Sequence, residues 1–253
     1  MTISVAPRAV IFAGPSLPPS IRHSDPALKW YPPVKQGDVY QAALTRPAII
    51  GITDGYFEVT PTVWHKEILW AMAQGIHVYG SASIGALRAA ELCPFGMTGV
   101  GRVFAAYRDG ILTDDDEVAI LHGPEELDYP AVTEAMVNIR ATLDKAVAEG
   151  VLDCWLVARL TEIGKILFYK ERNWDAILGL ATGRGLPPTP LDQLALWLQS
   201  GRVDQKQIDA LEMIAVIREH LAAGVTPLEV SYQFQDTGYH KAATRQVTEG
   251  QSG

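Results

Sequence analysis

Residues 76–92, IHVYGSASIGALRAAEL, constrain this chain more than any other stretch. Ile76-His77-Val78-Tyr79 favours a strand, Gly80 to Gly85 is a turn built mostly of small residues, and Ala86 to Leu92 is a run of strong helix formers. Strand, tight turn and helix in succession form the setting in which a serine at the turn's tip can act as a nucleophile. Ser81-x-Ser83-x-Gly85 has the spacing of small residues that lets strand and helix pass closely and lifts Ser83 clear of the sheet. The helix starting behind Ser83 turns its unpaired N–H groups and positive dipole end toward the site, where they can hold an oxyanion or a bound carboxylate. The same letters suit an ordinary helix N-cap with Gly85 relieving packing, so spacing alone leaves both readings open.

The flanking pattern repeats this unit. Ala9 to Ala13 and Pro47 to Thr53 read as buried strands, Leu28 to Tyr31 as another, and Glu117 to Leu121 (EVAIL) as a further one. Between them, helices are expected over Gln36–Leu44, over residues 62–75 with Thr62 as cap and Gly75 as stop, and over Val100–Tyr107. Leu17 to Ser24 is a Pro-rich loop. Alternation of this kind predicts an α/β fold with a mainly parallel, Rossmann- or flavodoxin-like sheet. Ligands of such sheets bind beyond the carboxyl ends of the strands, so Gly14–Ser16, Asp54–Gly55, Ser81–Gly85 and His122–Gly123 are expected along one edge.

From about Val132 the period changes to helical. Residues 133–150 and 154–174 read as amphipathic helices, 183–190 as a loop, and Leu191–Leu198 and Asp204–Ala223 as two more helices. The expected division is an α/β core over 1–130 and a helical region over 131–253, with a polar, frayed tail from about Ser231.

Composition excludes several classes. A net charge of -8 and a pI near 5.2 argue against a general nucleic-acid binder. Cys93 and Cys154 are the two cysteines and form no C-x-x-C, which suits a reducing compartment and supplies no zinc framework. The apolar run near the N-terminus stops at Gly14-Pro15, too short for a signal peptide, and no run reaches the ~20 residues of a membrane span. A soluble cytoplasmic protein, with no membrane partner and an open possibility of homo-oligomers, is the expectation.

A serine nucleophile needs a base. His65, in the first turn of its helix, and His122, at the end of the EVAIL run, are candidates, and each also reads as a solvated or hydrogen-bonded structural histidine. Asp54 can orient a histidine, act as the base itself, or simply hold the turn before Gly55. Arg88 either pairs with Glu91 or guides a substrate tail, while Lys66 and Glu67 read as a solvated helical pair. Ser81, Ile84, Gly85, Gly14 and Gly55 complete the candidate binding edge. Asp114–Glu117 has the oxygen chemistry for Mg²⁺ but reads as a solvated turn, and Gly99-Val100-Gly101 follows no clear strand, so neither a metal nor a cofactor is expected. Cys93 reads as a packed thiol.

Several longer motifs resemble the TfuA family: Gln36-Gly37-Asp38-Val39-Tyr40, Ile52-x-Asp54-Gly55-Tyr56-Phe57, residues 63–69 (VWHKEIL), residues 80–92, residues 95–101 (FGMTGVG), residues 114–119 (DDDEVA) and Leu121-His122-Gly123. The resemblance spans roughly residues 9 to 145. Ile84 departs from it, standing where a methionine is expected. It implies partnership with a YcaO enzyme, which uses ATP to activate a backbone amide for replacement of oxygen by sulfur, in peptide natural products or methyl-coenzyme M reductase. The TfuA-like partner either supplies sulfur or acts as an accessory. Joined to the serine turn, it suggests that Ser83 releases sulfide from the thiocarboxylate end of a ThiS-type sulfur carrier.

Overall fold

The computed structural model describes residues 8–22, 27–58 and 60–235. They form two compact units: residues 1–112 with 208–253, and residues 113–207. The expected single boundary near 130 differs from this division, because the chain leaves the first unit at Leu112 and returns to it at Ile208.

The first unit is an all-parallel sheet of β1 (Ala9–Phe12), β2 (Leu28–Tyr31), β3 (Ile49–Ile52), β4 (His77–Gly80) and β5 (Thr98–Gly99), ordered β2-β1-β3-β4-β5. This is the flavodoxin-like order, and its direction reverses between β1 and β3, the switch point beyond whose carboxyl ends such sheets bind ligands. β1 and β3 are buried on both faces, as expected of inner strands covered by helices on either side. The crossovers carry α1 (Pro19–Arg22), α2 (Asp38–Leu44), α3 (His65–Ala73) and α4 (Ile84–Leu92), and α5 (Arg102–Arg108) follows β5.

α4 packs closely on β4 because both contacting positions are glycine. A Cβ on Gly80 would lie 2.1 Å from the Gly85 carbonyl oxygen. The other face of the sheet is closed by a helix from far along the chain, Gln205–Ala223, whose Ala210, Met213, Ile214 and Ile217 pack with Ala9, Ile11, Ile49 and Tyr79. Each such fully buried Ile or Met side chain contributes about 1.5–3 kcal/mol. Tyr79 Oη and His220 Nδ1 share a 2.7 Å hydrogen bond beneath that helix.

The second unit packs α6 (Met136–Ala148), α7 (Cys154–Ile166), α8 (Trp174–Gly183) and α9 (Pro188–Gly201) around Met136, Ile139, Leu143, Leu160, Ile177 and Leu194. α10 (Gln205–Ala223) then carries the chain back to the sheet.

Several expectations are corrected. EVAIL is no strand: Asp115–Glu117 is a 3₁₀ turn, and beyond it His122 makes one isolated antiparallel bridge to Ala131. Glu117 is buried in ion pairs while Leu121 is exposed, so burial along the run does not follow its apolar residues as a sheet strand would require. β5 takes the outer place instead. α3 begins at His65, not Thr62, because Glu67 caps the backbone at Trp64. The helix read over 154–174 ends at Ile166, α8 runs on to Gly183, and α9 starts at Pro188 within the expected loop. Pro19–Arg22 is a short helix inside the Pro-rich segment.

The start of the expected frayed tail is held in place. Leu228 N donates to Gly75 O at 2.9 Å, and Tyr232 Oη donates to Leu69 O at 2.7 Å. The rest of that tail, 236–253, and the N-terminal residues 1–7 lie outside the described residues. No helix among the described residues is long and apolar enough to cross a membrane.

Candidate active site

The turn between β4 and α4 is stitched to the end of β3. Ser81 N donates to Ile52 O at 3.0 Å and Gly85 N to Thr53 O at 3.2 Å. A Cβ on Gly85 would lie 1.8 Å from Ile52 O, so only glycine lets the helix start this close to the strand. Ala82 sits at φ +65, in the left-handed region, and Ser83 N donates to Ser81 O at 2.7 Å across it. Such a three-residue turn is strained for an alanine, and observed strain of this kind clusters at functional sites.

Ser83 is the N-cap residue of α4, 8% exposed, and its side chain caps no N–H of that helix. The N–H groups behind it are mostly committed. Gly85 bonds to Thr53 O, Ala86 to Ser81 O and Ser83 O, and Leu87 to Ser83 O. The Ile84 N–H has no partner among the described residues. Ser81 is fully buried, and its hydroxyl likewise has no hydrogen-bond partner among the described residues.

Asp54, 2% exposed, spends its carboxylate on the exit loop of β1. Oδ2 accepts from Gly14 N (2.9 Å) and Ser16 N (3.0 Å), and Oδ1 accepts from Ser16 Oγ at 2.6 Å. This ties the loop after β1 to the carboxyl end of β3. Gly14 and Gly55 are small for local packing: a Cβ on Gly14 would meet Pro33 Cγ at 2.6 Å, and one on Gly55 would meet both Ile84 Cγ2 and Val34 O at 2.8 Å.

The structure places His65 on Glu91, with Nε2–H donating to Oε2 at 2.8 Å. Glu91 lies eight residues beyond Ser83, about 12 Å along the axis of α4. Arg88 joins the same carboxylate at 2.7 Å and donates from Nε to Val63 O at 3.1 Å, which is the salt-bridge alternative for this residue. Partial burial alone would raise the Glu91 carboxyl; the His65 hydrogen bond and the Arg88 guanidinium hold it below its ordinary range. His122 belongs to the second unit, where its Nδ1–H donates to Gly123 O at 2.8 Å and its ring meets Tyr129 edge-on. Thus Asp54 and the Ser81–Gly85 turn meet at the ends of adjoining strands, whereas His65 is bound elsewhere.

Sequence reasoning missed Glu67. It is 4% exposed, and it accepts from Gly37 N (3.0 Å), Val39 N (3.1 Å) and Tyr40 N (3.3 Å) of α2 and from Trp64 N (2.8 Å) at the start of α3. Burial pushes its carboxyl up to about 7 against the opposing pull of these N–H groups. Asp209, fully buried, similarly receives Val103 N at 2.7 Å at the start of α5. Gly99-Val100-Gly101 is therefore closed off: a Cβ on Gly101 would lie 2.3 Å from Asp209 Cγ. Three sets of backbone amides in this unit are thus filled by the chain's own carboxylates.

In the second unit Asp114, Asp116 and Glu117 bring their oxygens within 4.8 Å of one another. Cations of the chain itself already sit on them: Lys165 on all three, Arg172 on Asp116 at 2.6 Å and Arg140 on Glu117 at 2.9 Å. This is an ion-pair network. Cys93 and Cys154 are free thiols, and Cys93 Sγ points at Ala90 O.

Against known families, residues 54–173 match the model of TfuA-like proteins. The match begins at Asp54, at the carboxyl end of β3, and runs on through α7. No curated protein matches the chain at a significant level.

Proposed function

The chain belongs to the TfuA-like family, and from that premise we propose that it serves a YcaO enzyme in peptide backbone thioamidation by releasing sulfide from a thiocarboxylated, ThiS-type sulfur carrier. The observation that carries this reading is the pairing of Ser83 with the unpartnered N–H of Ile84. The backbone N–H directly after a turn-borne serine is the one that receives the oxyanion in serine-based acyl transfer.

In this mechanism Ser83 Oγ attacks the thiocarboxylate carbon, and the negative charge gathers on the carbonyl oxygen facing Ile84 N–H. The C–S bond breaks, and the proton lost by the hydroxyl leaves on the departing hydrosulfide. Protons therefore balance within that step, and His65, bound to Glu91, is not the group that carries the proton. Water then cleaves the ester, returning the carrier's carboxylate and the serine hydroxyl. Asp54 and Gly14 hold the loop after β1 to β3, and Ser81 and Gly85 hold the turn.

Ser83→Ala is expected to abolish sulfide release from a thiocarboxylated carrier while leaving the affinity for the YcaO partner unchanged. Full release by that variant at excess carrier would end the catalytic reading.

A second reading, a non-catalytic accessory that binds the YcaO enzyme or recruits the sulfur donor, is favoured by one observation. The N–H groups of Gly85, Ala86 and Leu87 are already taken by carbonyls, leaving a single amide for the anion. Under this reading thioamidation by the YcaO enzyme needs the chain but not the Ser83 hydroxyl.

A further inference from the structure

At the opposite edge of the sheet, where β3 and β4 begin, lies an open groove of about 490 Å³ lined by Leu44, Arg46, Trp70, Gln74, Thr226 and Pro227 among others. Its volume falls in the range of small-ligand sites. One wall is the segment that follows α10, fixed by a 2.9 Å hydrogen bond between His77 Nε2 and Thr226 O and by Leu228 N on Gly75 O. Another is the indole of Trp70, packed against Tyr40 with ring centroids 4.5 Å apart. Arg46 is the one charged side chain among the lining residues.

Two features of Arg46 single it out. Its φ is +53, directly after the cap of α2, the position where helices ordinarily place glycine. Its guanidinium has no hydrogen-bond or ion partner among the described residues. A strained backbone is thus kept while the side chain gains no polar partner among the described residues, in a chain whose net charge is -8. From this we infer that the groove is a binding site for an organic anion with a flat apolar body. The anion pairs with the Arg46 guanidinium, the body packs on Trp70, and Gln74 and Thr226 offer polar contacts at the rim. The site is separate from the serine turn, because it lies at the amino ends of the strands.

A suitable probe is 1-anilinonaphthalene-8-sulfonate, which combines fused rings with one sulfonate. Fluorescence titration of the full chain should show saturable binding of one probe per molecule. Arg46→Gln should weaken binding about tenfold, and Arg46→Lys by less. Arg46→Gly should weaken it as much as Arg46→Gln while raising the melting temperature by about 2–4 °C through relief of the left-handed backbone. Absence of saturable binding, affinity within twofold of native for Arg46→Gln, or a melting temperature unchanged or lowered in Arg46→Gly would each overturn the inference.

Discussion

Glu67 and Asp116 are both carboxylates held tightly by several donors, yet they are held in different ways. In the α/β unit, Glu67, Asp54 and Asp209 receive backbone N–H groups. In the helical unit, Asp116 and Glu117 face Lys165, Arg172 and Arg140. The difference follows from architecture. A parallel sheet gathers loop and helix amides at one edge, and a carboxylate there satisfies several donors that would otherwise be left buried and unpaired. A helical bundle has few such amides to offer, so its buried acids are met by cationic side chains.

The sharpest way to break this contrast is to remove Arg172, which is 1% exposed. It donates to Asp116 Oδ2 and to the carbonyls of Gly164, Leu167 and Asp116. Arg172→Met should cost about 3–5 kcal/mol in urea unfolding, because an acid and three carbonyls lose their donor. A loss below about 1 kcal/mol would show that the network adds little.

Glu67 gives the next largest effect, with the opposite dependence on acid. Its folded value of about 7 lies above its ordinary 4.5, chiefly through burial. Its contribution to stability is therefore fully present below 4.5 and is lost as pH rises through about 7, on the order of 3 kcal/mol in all. Melting temperature followed over that window should fall in the native chain and flatten in Glu67→Gln. Identical slopes for the two would refute the assignment.

Asp116 should give the smallest effect. Partial burial would raise it, but the Lys165 and Arg172 hydrogen bonds hold it below 3.8. Its contribution is present above 3.8 and lost as pH falls through the folded value, and added salt should shrink it. Asp116→Asn should therefore remove part of the acid-side loss and leave the profile above pH 5 unchanged. The helical unit also contains one acid of the other kind, Glu134, raised by burial, so substitutions made one at a time are needed to separate the terms.

What could be read from the letters follows the same physics. AVIF and IIGI announce inner strands because both faces are buried, and Gly80 and Gly85 announce a close crossing. EVAIL has a similar look but no sheet position to fill, since a short apolar run carries no mark of its neighbours. Glu67 beside Lys66 reads as a surface pair because its donors, Gly37 to Tyr40, lie nearly thirty positions earlier and are backbone groups. His65 could not be assigned for a related reason: Glu91 is its partner only after α3 and α4 have packed. One signal was there to be used. Leu228, Val230, Tyr232 and Phe234 alternate with exposed Glu229, Ser231, Gln233 and Gln235, the mark of a segment laid one-sided on the fold.

The return of α10 to the sheet has a consequence during biosynthesis. When Leu112 has left the ribosome, all five strands exist, but the surface formed by Ala9, Ile11, Ile49 and Tyr79 has no cover. Residues 113–207 must be translated before Met213 and Ile217 emerge, a delay of roughly 5–20 s at ordinary elongation rates. For that interval the nascent chain presents a bare apolar plane, so holdase chaperones should engage it after the last strand and let go once the C-terminal helix docks.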